Sequence, residues 1–174
     1  MKPAYLALGS NLGERDEYLS AAIRGLAARG IDIVRCASVY STEPRHVLDQ
    51  PWFLNTAIEI CTDLAPRELL QVCLRVEEEN QRTRDTSKGP RTLDIDILFY
   101  GNEVVREAGL TIPHPSFSSR RFVLAPLAEI AADFVDPLSG QTIRQLRDAC
   151  TDAATVTRVS GAPAFSRPFP NAPQ

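Results

Sequence analysis

The chain has 174 residues, 44% of them hydrophobic, which is enough for one domain with a sizeable core. Lys and Arg total 19 against 22 Asp and Glu, and the resulting net charge of -3 argues against a protein whose main partner is nucleic acid or an anionic membrane. No apolar stretch is long enough for a signal peptide or a membrane-spanning helix, so we expect a cytoplasmic protein that does not bind membranes.

The first half of the chain predicts alternating strands and helices. A short apolar run at residues 4–8 predicts a strand, and apolar residues spaced at i, i+3, i+4 and i+7 over 19–26 predict an amphipathic helix. A second strand is expected at 31–40 and a third at 53–62, where apolar and polar residues alternate. The residues between these two strands, 41–51, have no periodicity and predict an irregular loop.

The second half continues this order. Pro66 stands where the first residue of a second helix is expected, and residues 92–100 form the clearest strand in the chain. Gly101 and Asn102 predict a hairpin turn after that strand, with the chain returning through Val104 and Val105.

The order strand–helix–strand, strand–helix–strand predicts a ferredoxin-like α+β sandwich of βαββαβ type. Further C-terminal strand and helix elements, with helices near 127–132 and 143–149, would extend the same core. We therefore expect one domain over residues 1–160, followed by a loosely ordered, proline-rich tail at 161–174.

The four cysteines are expected to be unpaired. They show neither C-x-x-C spacing nor a neighbouring histidine cluster. Cys36, Cys61 and Cys73 lie in or beside apolar segments, where a free thiol packs as a small hydrophobic group. The fourth cysteine is Cys150. This pattern is typical of structural thiols in a reducing compartment.

Two aspartates share one face of the clearest strand. The strand period of two places Asp94 and Asp96 on that face, about 6.6 Å apart along the strand. The opposite face is predicted to carry the hydrophobic residues Leu93, Ile95, Ile97 and Phe99. The two carboxylates could hold one or two Mg²⁺ ions whose other ligands are water and substrate phosphates. The motif alone is equally consistent with a half-exposed strand whose polar face meets water.

Basic residues concentrate in the loop that leads into this strand. Arg82, Arg84, Lys88 and Arg91 precede the two aspartates, and guanidinium groups bind phosphate oxygens in bidentate fashion. A strand rich in aspartate entered by a loop rich in arginine favours a metal–polyphosphate complex. The alternative is a solvated loop with weak surface ion pairs.

Four further residues are candidates for substrate contacts. Phe53 and Asn55 lie on one strand face, and a ring beside a side-chain amide could stack on and hydrogen-bond a flat heterocycle. Phe122 follows two arginines, and His114 lies between two prolines, which suits a positioned donor to phosphate. Each could instead have an ordinary structural role in the core or at the surface.

Several sequence blocks occur together and in order. They are Ala7-Leu8-Gly9-Ser10-Asn11-Leu12-Gly13, Asp49-Gln50-Pro51 with Phe53-Leu54-Asn55, Gly89-Pro90-Arg91-Thr92-Leu93-Asp94-Ile95-Asp96-Ile97-Leu98, Pro113-His114-Pro115, and Arg120-Arg121-Phe122-Val123-Leu124 with Pro126-Leu127. With these blocks the chain resembles the 6-hydroxymethyl-7,8-dihydropterin pyrophosphokinase family over about residues 4–138. The Gly-Pro-Arg-Thr-x-Asp-x-Asp core is the most specific of them.

The resemblance implies transfer of diphosphate from ATP to the hydroxymethyl group of the pterin, giving AMP and the pterin diphosphate in folate biosynthesis. It implies that Asp94 and Asp96 bind two Mg²⁺ ions and act in catalysis with Arg82 and Arg91. The pterin-binding residues implied are Thr42, Pro44, Phe53, Asn55 and Phe122. The ATP-binding residues implied are Glu77, Arg82, Arg84, Arg91, His114 and Arg120.

Two features depart from the family pattern. Lys88 stands where relatives usually carry an aromatic residue before Gly-Pro-Arg, in a loop that is about one residue shorter, and the 42–50 loop lacks the usual glycine. Two other functions remain as alternatives: a non-catalytic module that binds nucleotide or RNA, and a metal-dependent phosphotransferase with another acceptor. Asp94 and Asp96 argue against RNA, and we expect a monomer that binds no nucleic acid.

Overall fold

The computed structural model describes residues 1–44, 48–80 and 92–164. The strands in these ranges are β1 (Lys2–Ser10), β2 (Asp32–Cys36), β3 (Val39–Thr42), β4 (Phe53–Thr62), β5 (Asp94–Tyr100), β6 (Val105–Glu107), β7 (Leu110–Ile112) and β8 (Val156–Ser160). The helices are α1 (Arg15–Ala27), α2 (Pro66–Glu79), α3 (Arg121–Ala131) and α4 (Ile143–Ala149), with a short 3₁₀ turn at Phe117–Ser119.

The main sheet is antiparallel, with strand order β5-β1-β4-β3-β8 and β2 also paired to β4. Strands β2 and β3 pair with successive parts of β4, so together they take the place of one interrupted strand. The predicted single strand at 31–40 is therefore split, because the Ser38 backbone N–H turns away to Glu129 of α3. With this substitution the order β1-α1-β2/β3-β4-α2-β5 is ferredoxin-like, as the sequence predicts.

Helices cover both faces of the sheet. One core cluster joins the apolar sides of α1 and α2 to Leu54, Ile58 and Ile60 of β4. A second cluster joins α3 and α4 to residues such as Ala57 on the opposite face. The alternation along β4 therefore matches its predicted two-sided pattern. Of the C-terminal elements, α4 packs in the second cluster and β8 pairs with β3. In the described part of the chain no helix is long and apolar enough to cross a bilayer.

The predicted alternation along β5 is wrong at its end. Leu6 pairs with Ile97 and Tyr5 with Phe99, so Leu98 is an extra residue in the ladder. Such a bulge reverses the alternation beyond it, which puts Phe99 in the second cluster, away from Ile97. Asp94 and Asp96 come before the bulge, so their shared face is retained.

The predicted hairpin between β5 and the residues after Gly101 is also wrong. The chain does turn there, with the Glu103 N–H donating to the Tyr100 carbonyl at 3.0 Å. However, β6 pairs with β7 rather than with β5. Gly109, at φ +73°, supplies the left-handed residue of the turn between β6 and β7, which are closer to each other in sequence than β6 is to the paired part of β5. Val105 therefore pairs with Ile112, and Val104 lies outside the ladder.

The helix and cysteine predictions fare better. Pro66 begins α2 as predicted, and α4 has the predicted bounds, whereas α3 begins six residues before the predicted 127–132 helix. All four cysteines are free, with Cys73 buried and Cys36, Cys61 and Cys150 half-buried. Burial raises the pKa of the Cys36 thiol to about 11, which suits an unreactive structural thiol. Of the predicted tail, residues 165–174 lie outside the described ranges.

Candidate active site

A cavity of about 130 Å³ opens on the α3 side of the sheet. The antiparallel register creates it, because the end of β1 lies between the starts of β4 and β5: Gly9 pairs with Asn55 on one side and with Asp94 on the other. The end of β3, the residues after it and the start of α3 complete the wall. The lining residues are Ala7, Leu8, Gly9, Thr42, Glu43, Pro44, Gln50, Phe53, Asn55, Asp94, Asp96, Arg120, Phe122 and Val123.

The two aspartates of β5 form the acidic side of the cavity. Their cross-strand neighbours on β1 are Gly9 and Ala7, whose small size leaves space above the carboxylates. The Asp96 side chain is 40% exposed. In the described ranges no group of three or more His, Cys, Asp or Glu side chains could hold a metal ion. A cation at Asp94 and Asp96 could complete its coordination with oxygens of water or substrate, which suits Mg²⁺.

His114 stands beside this acidic side. Its Nε2 lies 4.0 Å from Oδ2 of Asp96, while its Nδ1 accepts a hydrogen bond from the Ser116 N–H at 3.2 Å. A neutral His114 therefore carries its proton on Nε2, facing the carboxylate. Burial lowers the pKa of His114, and the Arg120 charge lowers it further, against an opposing effect of Asp94.

Asn55 is held in a fixed position in the wall of the cavity. Its Nδ2 donates to Oγ1 of Thr42 at 2.6 Å, and the residue is only 8% exposed. A Cβ on Gly9 would lie 2.6 Å from Oδ1 of Asn55, closer than real Cβ atoms come to a neighbouring atom. The absence of a side chain at Gly9 therefore leaves the space that the Asn55 amide occupies. The amide is a ready partner for the polar edge of a bound ring.

Two half-buried phenylalanines give the cavity aromatic surface. Phe53 begins β4, and Phe122 lies in the first turn of α3. The Arg120 guanidinium lies 5.8 Å from the centre of the Phe122 ring, close enough for a cation–π contact. Pro44 adds a rigid, buried apolar group. This side of the cavity suits a flat ring, and the aspartate side suits a cation bound to phosphate.

The segment before β4 is tied to the residues that follow β1. Asn11, only 1% exposed, donates from Nδ2 to Oε1 of Gln50 at 2.9 Å and to the Pro51 carbonyl at 3.1 Å. Arg15 of α1 donates to the Trp52 carbonyl at 2.6 Å. These bonds place Gln50 on the cavity wall and lead the chain into Phe53. Asn11 is thus a positioning residue, which sequence reasoning left without a role although it lies in the first matching block.

The cavity brings together eight of the residues that the sequence predicts. They are Thr42, Pro44, Phe53, Asn55, Asp94, Asp96, Arg120 and Phe122. Glu77 does not line it: this carboxylate is 1% exposed and accepts the Ile95 N–H at 2.7 Å, which anchors the start of β5. Arg82, Arg84, Lys88 and Arg91 lie outside the described residues. Gly9, Glu43, Gln50 and Val123 line the cavity without having been predicted as site residues, although Gly9, Gln50 and Val123 each lie in one of the matching sequence blocks.

Comparisons with known proteins show what this chain is similar to. The model of the 7,8-dihydro-6-hydroxymethylpterin-pyrophosphokinase (HPPK) family matches residues 5–132. A 2-amino-4-hydroxy-6-hydroxymethyldihydropteridine pyrophosphokinase of Methylorubrum extorquens is 45% identical over 146 residues, 83% of this chain and 91% of the relative. The Bacillus subtilis protein of the same name is 46% identical over 128 residues, 73% of this chain and 77% of the relative.

The fold is also similar to a solved structure. The Plasmodium falciparum HPPK-DHPS wild type superimposes with a TM-score of 0.67 at 15% identity, over 84% of this chain and 44% of that chain. The chain thus spans less than half the length of the Plasmodium protein. At this identity the likeness supports the fold alone.

Proposed function

The chain belongs to the 7,8-dihydro-6-hydroxymethylpterin-pyrophosphokinase family, and from this membership we infer that it transfers diphosphate from ATP to 6-hydroxymethyl-7,8-dihydropterin in folate biosynthesis. In this reaction a bond forms between the hydroxymethyl oxygen and the β-phosphorus of ATP. The bond from that phosphorus to the AMP oxygen breaks, so the products are AMP and the pterin diphosphate.

One observation carries the assignment to this cavity: aromatic surface and a pair of carboxylates line the same small space. The pterin would stack between Phe53 and Phe122, with the Asn55 amide and the backbone at Thr42 and Pro44 along its polar edge. The fixed position of Asn55 supports this role, because a preoriented amide loses little entropy on binding.

The acidic side would bind the polyphosphate through metal. Asp94 and Asp96 fit Mg²⁺, since they are oxygen ligands that reach the cavity and leave most of the coordination shell to phosphate and water. We take two ions as the number implied by the family. When bound, Mg²⁺ neutralises charge on the phosphate oxygens and so lowers the barrier to attack.

The remaining groups position the phosphates. Arg120 would donate from its guanidinium, and His114 from Nε2, where its proton lies when the ring is neutral. Arg82, Arg84 and Arg91, which precede β5 in the sequence, would add contacts to the phosphates, and Glu77 would hold the start of that strand in place. Catalysis of this kind depends mainly on positioning and charge stabilisation.

The deciding experiment incubates the protein with ATP, MgCl₂ and 6-hydroxymethyl-7,8-dihydropterin and identifies the nucleotide product. AMP that forms only when the pterin is present supports the proposal. Formation of ADP, or of AMP at a rate that does not depend on the pterin, contradicts the proposal. Removal of Mg²⁺ by a chelator should stop turnover, and gel filtration and cell fractionation test the expectation of a cytoplasmic monomer.

A further inference from the structure

The C-terminal part of the chain contacts two of the elements that line the cavity. The family match ends at residue 132, but the described chain continues through α4 to β8. Between these elements, residues 150–155 run close to both walls of the site. Neither the sequence motifs nor the family match assigns this segment a role.

The segment is first tied to the start of α3, the wall that carries Arg120 and Phe122. The Arg121 side chain donates from Nε to the Asp152 carbonyl at 2.8 Å and from Nη2 to the Cys150 carbonyl at 2.9 Å. In return, Oδ2 of Asp152 accepts the Arg121 backbone N–H at 3.0 Å.

Asp152 in this way supplies a cap that the helix lacks. The residue before α3 makes no side-chain cap hydrogen bond. The Asp152 carboxylate, 31 residues further along the chain, binds the first N–H of the helix, where negative charge is also favoured by the helix dipole. The capped turn is the one that contains Phe122.

The same segment is then tied to the opposite wall. The Glu43 N–H donates to the Thr155 carbonyl at 3.1 Å, and the Thr155 N–H donates to Oε2 of Glu43 at 2.8 Å. Glu43 lines the cavity between Thr42 and Pro44. Strand β8 continues this attachment, because Val156 pairs with Thr42.

The connection between the two walls is short. Asp152 and Thr155 are three residues apart, so even a fully extended chain spans about 11 Å between them. The Ala154 N–H also donates to Oδ1 of Asp152 at 3.1 Å, which bends the connection. The two walls cannot move apart at this edge while both attachments hold.

We propose that residues 152–155 are a brace that sets the separation of the two pterin-contacting walls, with Asp152 as its positioning residue. The brace keeps Phe122 of one wall and Thr42 of the other, together with Phe53 that pairs with Thr42, at the spacing a stacked ring requires. The inference rests on the proposed function, since it assumes that the pterin binds between these walls.

The test compares steady-state constants of D152A with those of the natural chain. Loss of the cap should raise the pterin KM about five- to tenfold, while kcat changes less than about twofold. D152N keeps one acceptor oxygen, so its pterin KM should lie between those of D152A and the natural chain. R144A is the matched control, because Arg144 lies in the same C-terminal part but pairs with the exposed Asp133, which is not part of the brace. It should leave both constants unchanged.

A second variant covers the case in which D152A does not fold. R121Q removes the guanidinium bonds to Cys150 and Asp152 but retains the backbone cap, so it should raise the pterin KM by a smaller factor. A pterin KM within twofold of the natural value in the folded variants overturns the proposal. So does a parallel loss of kcat with thermal stability. Absence of pterin-dependent AMP from the natural chain would instead overturn the proposed function, and the brace with it.

Discussion

Replacement of Gly9 by alanine should displace the Asn55 amide from its position in the cavity wall. The added Cβ would meet Oδ1 of Asn55 at 2.6 Å, whereas contacts below 3.0 Å are essentially absent from real structures and most exceed 3.4 Å. The amide must therefore move by about 0.4 to 0.8 Å, the difference between these distances and 2.6 Å. Such a shift strains the 2.6 Å hydrogen bond from Asn55 to Thr42.

The cost follows from three contributions. A side chain forced about 30° from its rotamer costs about 1 kcal/mol, and loss of a neutral hydrogen bond costs about another 1 kcal/mol. The alanine recovers about 0.7 kcal/mol by restricting the unfolded chain. We expect G9A to lower the free energy of unfolding by about 1 to 2 kcal/mol and the thermal midpoint by about 2 to 8 °C.

The assay is a double-mutant cycle with N55A, read by thermal unfolding. If the clash with Asn55 causes the loss, G9A should cost little in the N55A background. Pterin affinity, measured by calorimetry with a non-hydrolysable ATP analogue present, should fall in G9A in step with the displaced amide. The control is G161A, because a Cβ there meets nothing within 4 Å. An equal cost of G9A in both backgrounds would refute the reasoning.

Three further predictions concern other parts of the molecule. D96A should reduce turnover more than about a hundredfold yet shift the thermal midpoint by less than about 2 °C. The exposed control D133A should shift the midpoint equally little without this loss of turnover. A collapse of folding in D96A would point to a purely structural aspartate. Trp52, the sole tryptophan, precedes Phe53, so its fluorescence should change when the pterin and an ATP analogue bind together; an unchanged spectrum would place binding elsewhere. Burial raises the pKa of Glu129, but hydrogen bonds from Ser38 and Tyr40 outweigh this and lower it. The ionised Glu129 carboxylate should stabilise the fold fully above pH 4.5, and this stabilisation should fall as the pH drops through the lowered pKa. E129Q should therefore flatten the pH dependence of the thermal midpoint between pH 5 and pH 3. An unaltered slope in E129Q would contradict this prediction.

The site was predictable where local pattern and residue type coincide. Asp94 and Asp96 share a face because strand period is local, and both reach the cavity before the bulge at Leu98 changes the alternation. Phe53 and Asn55 follow from the same period on β4, and the pairing of Gly9 with Asn55 then supplies the space that the amide needs.

Other contributions could not be seen from pattern. Nothing in the sequence around Asp152 distinguishes it from an ordinary surface aspartate, since its partner N–H is 31 residues earlier. Glu43 and Thr155 are 112 residues apart and meet only because β8 pairs with β3. The turn at Gly101 likewise gave no sign that β6 would pair with β7 instead of β5.

The sequence by itself determined the strand–helix–strand, strand–helix–strand order of the first hundred residues, the two-sided pattern of β4 and the family to which the site motifs belong. These properties depend on residues a few positions apart, where helix and strand periods and turn residues act directly. Only the tertiary structure decided where Leu98 interrupts the ladder, how Asn11 holds the chain before β4, and which C-terminal residues tie the two cavity walls together. Those outcomes depend on contacts between distant segments, whose geometry exists only after the sheet and its helices have packed.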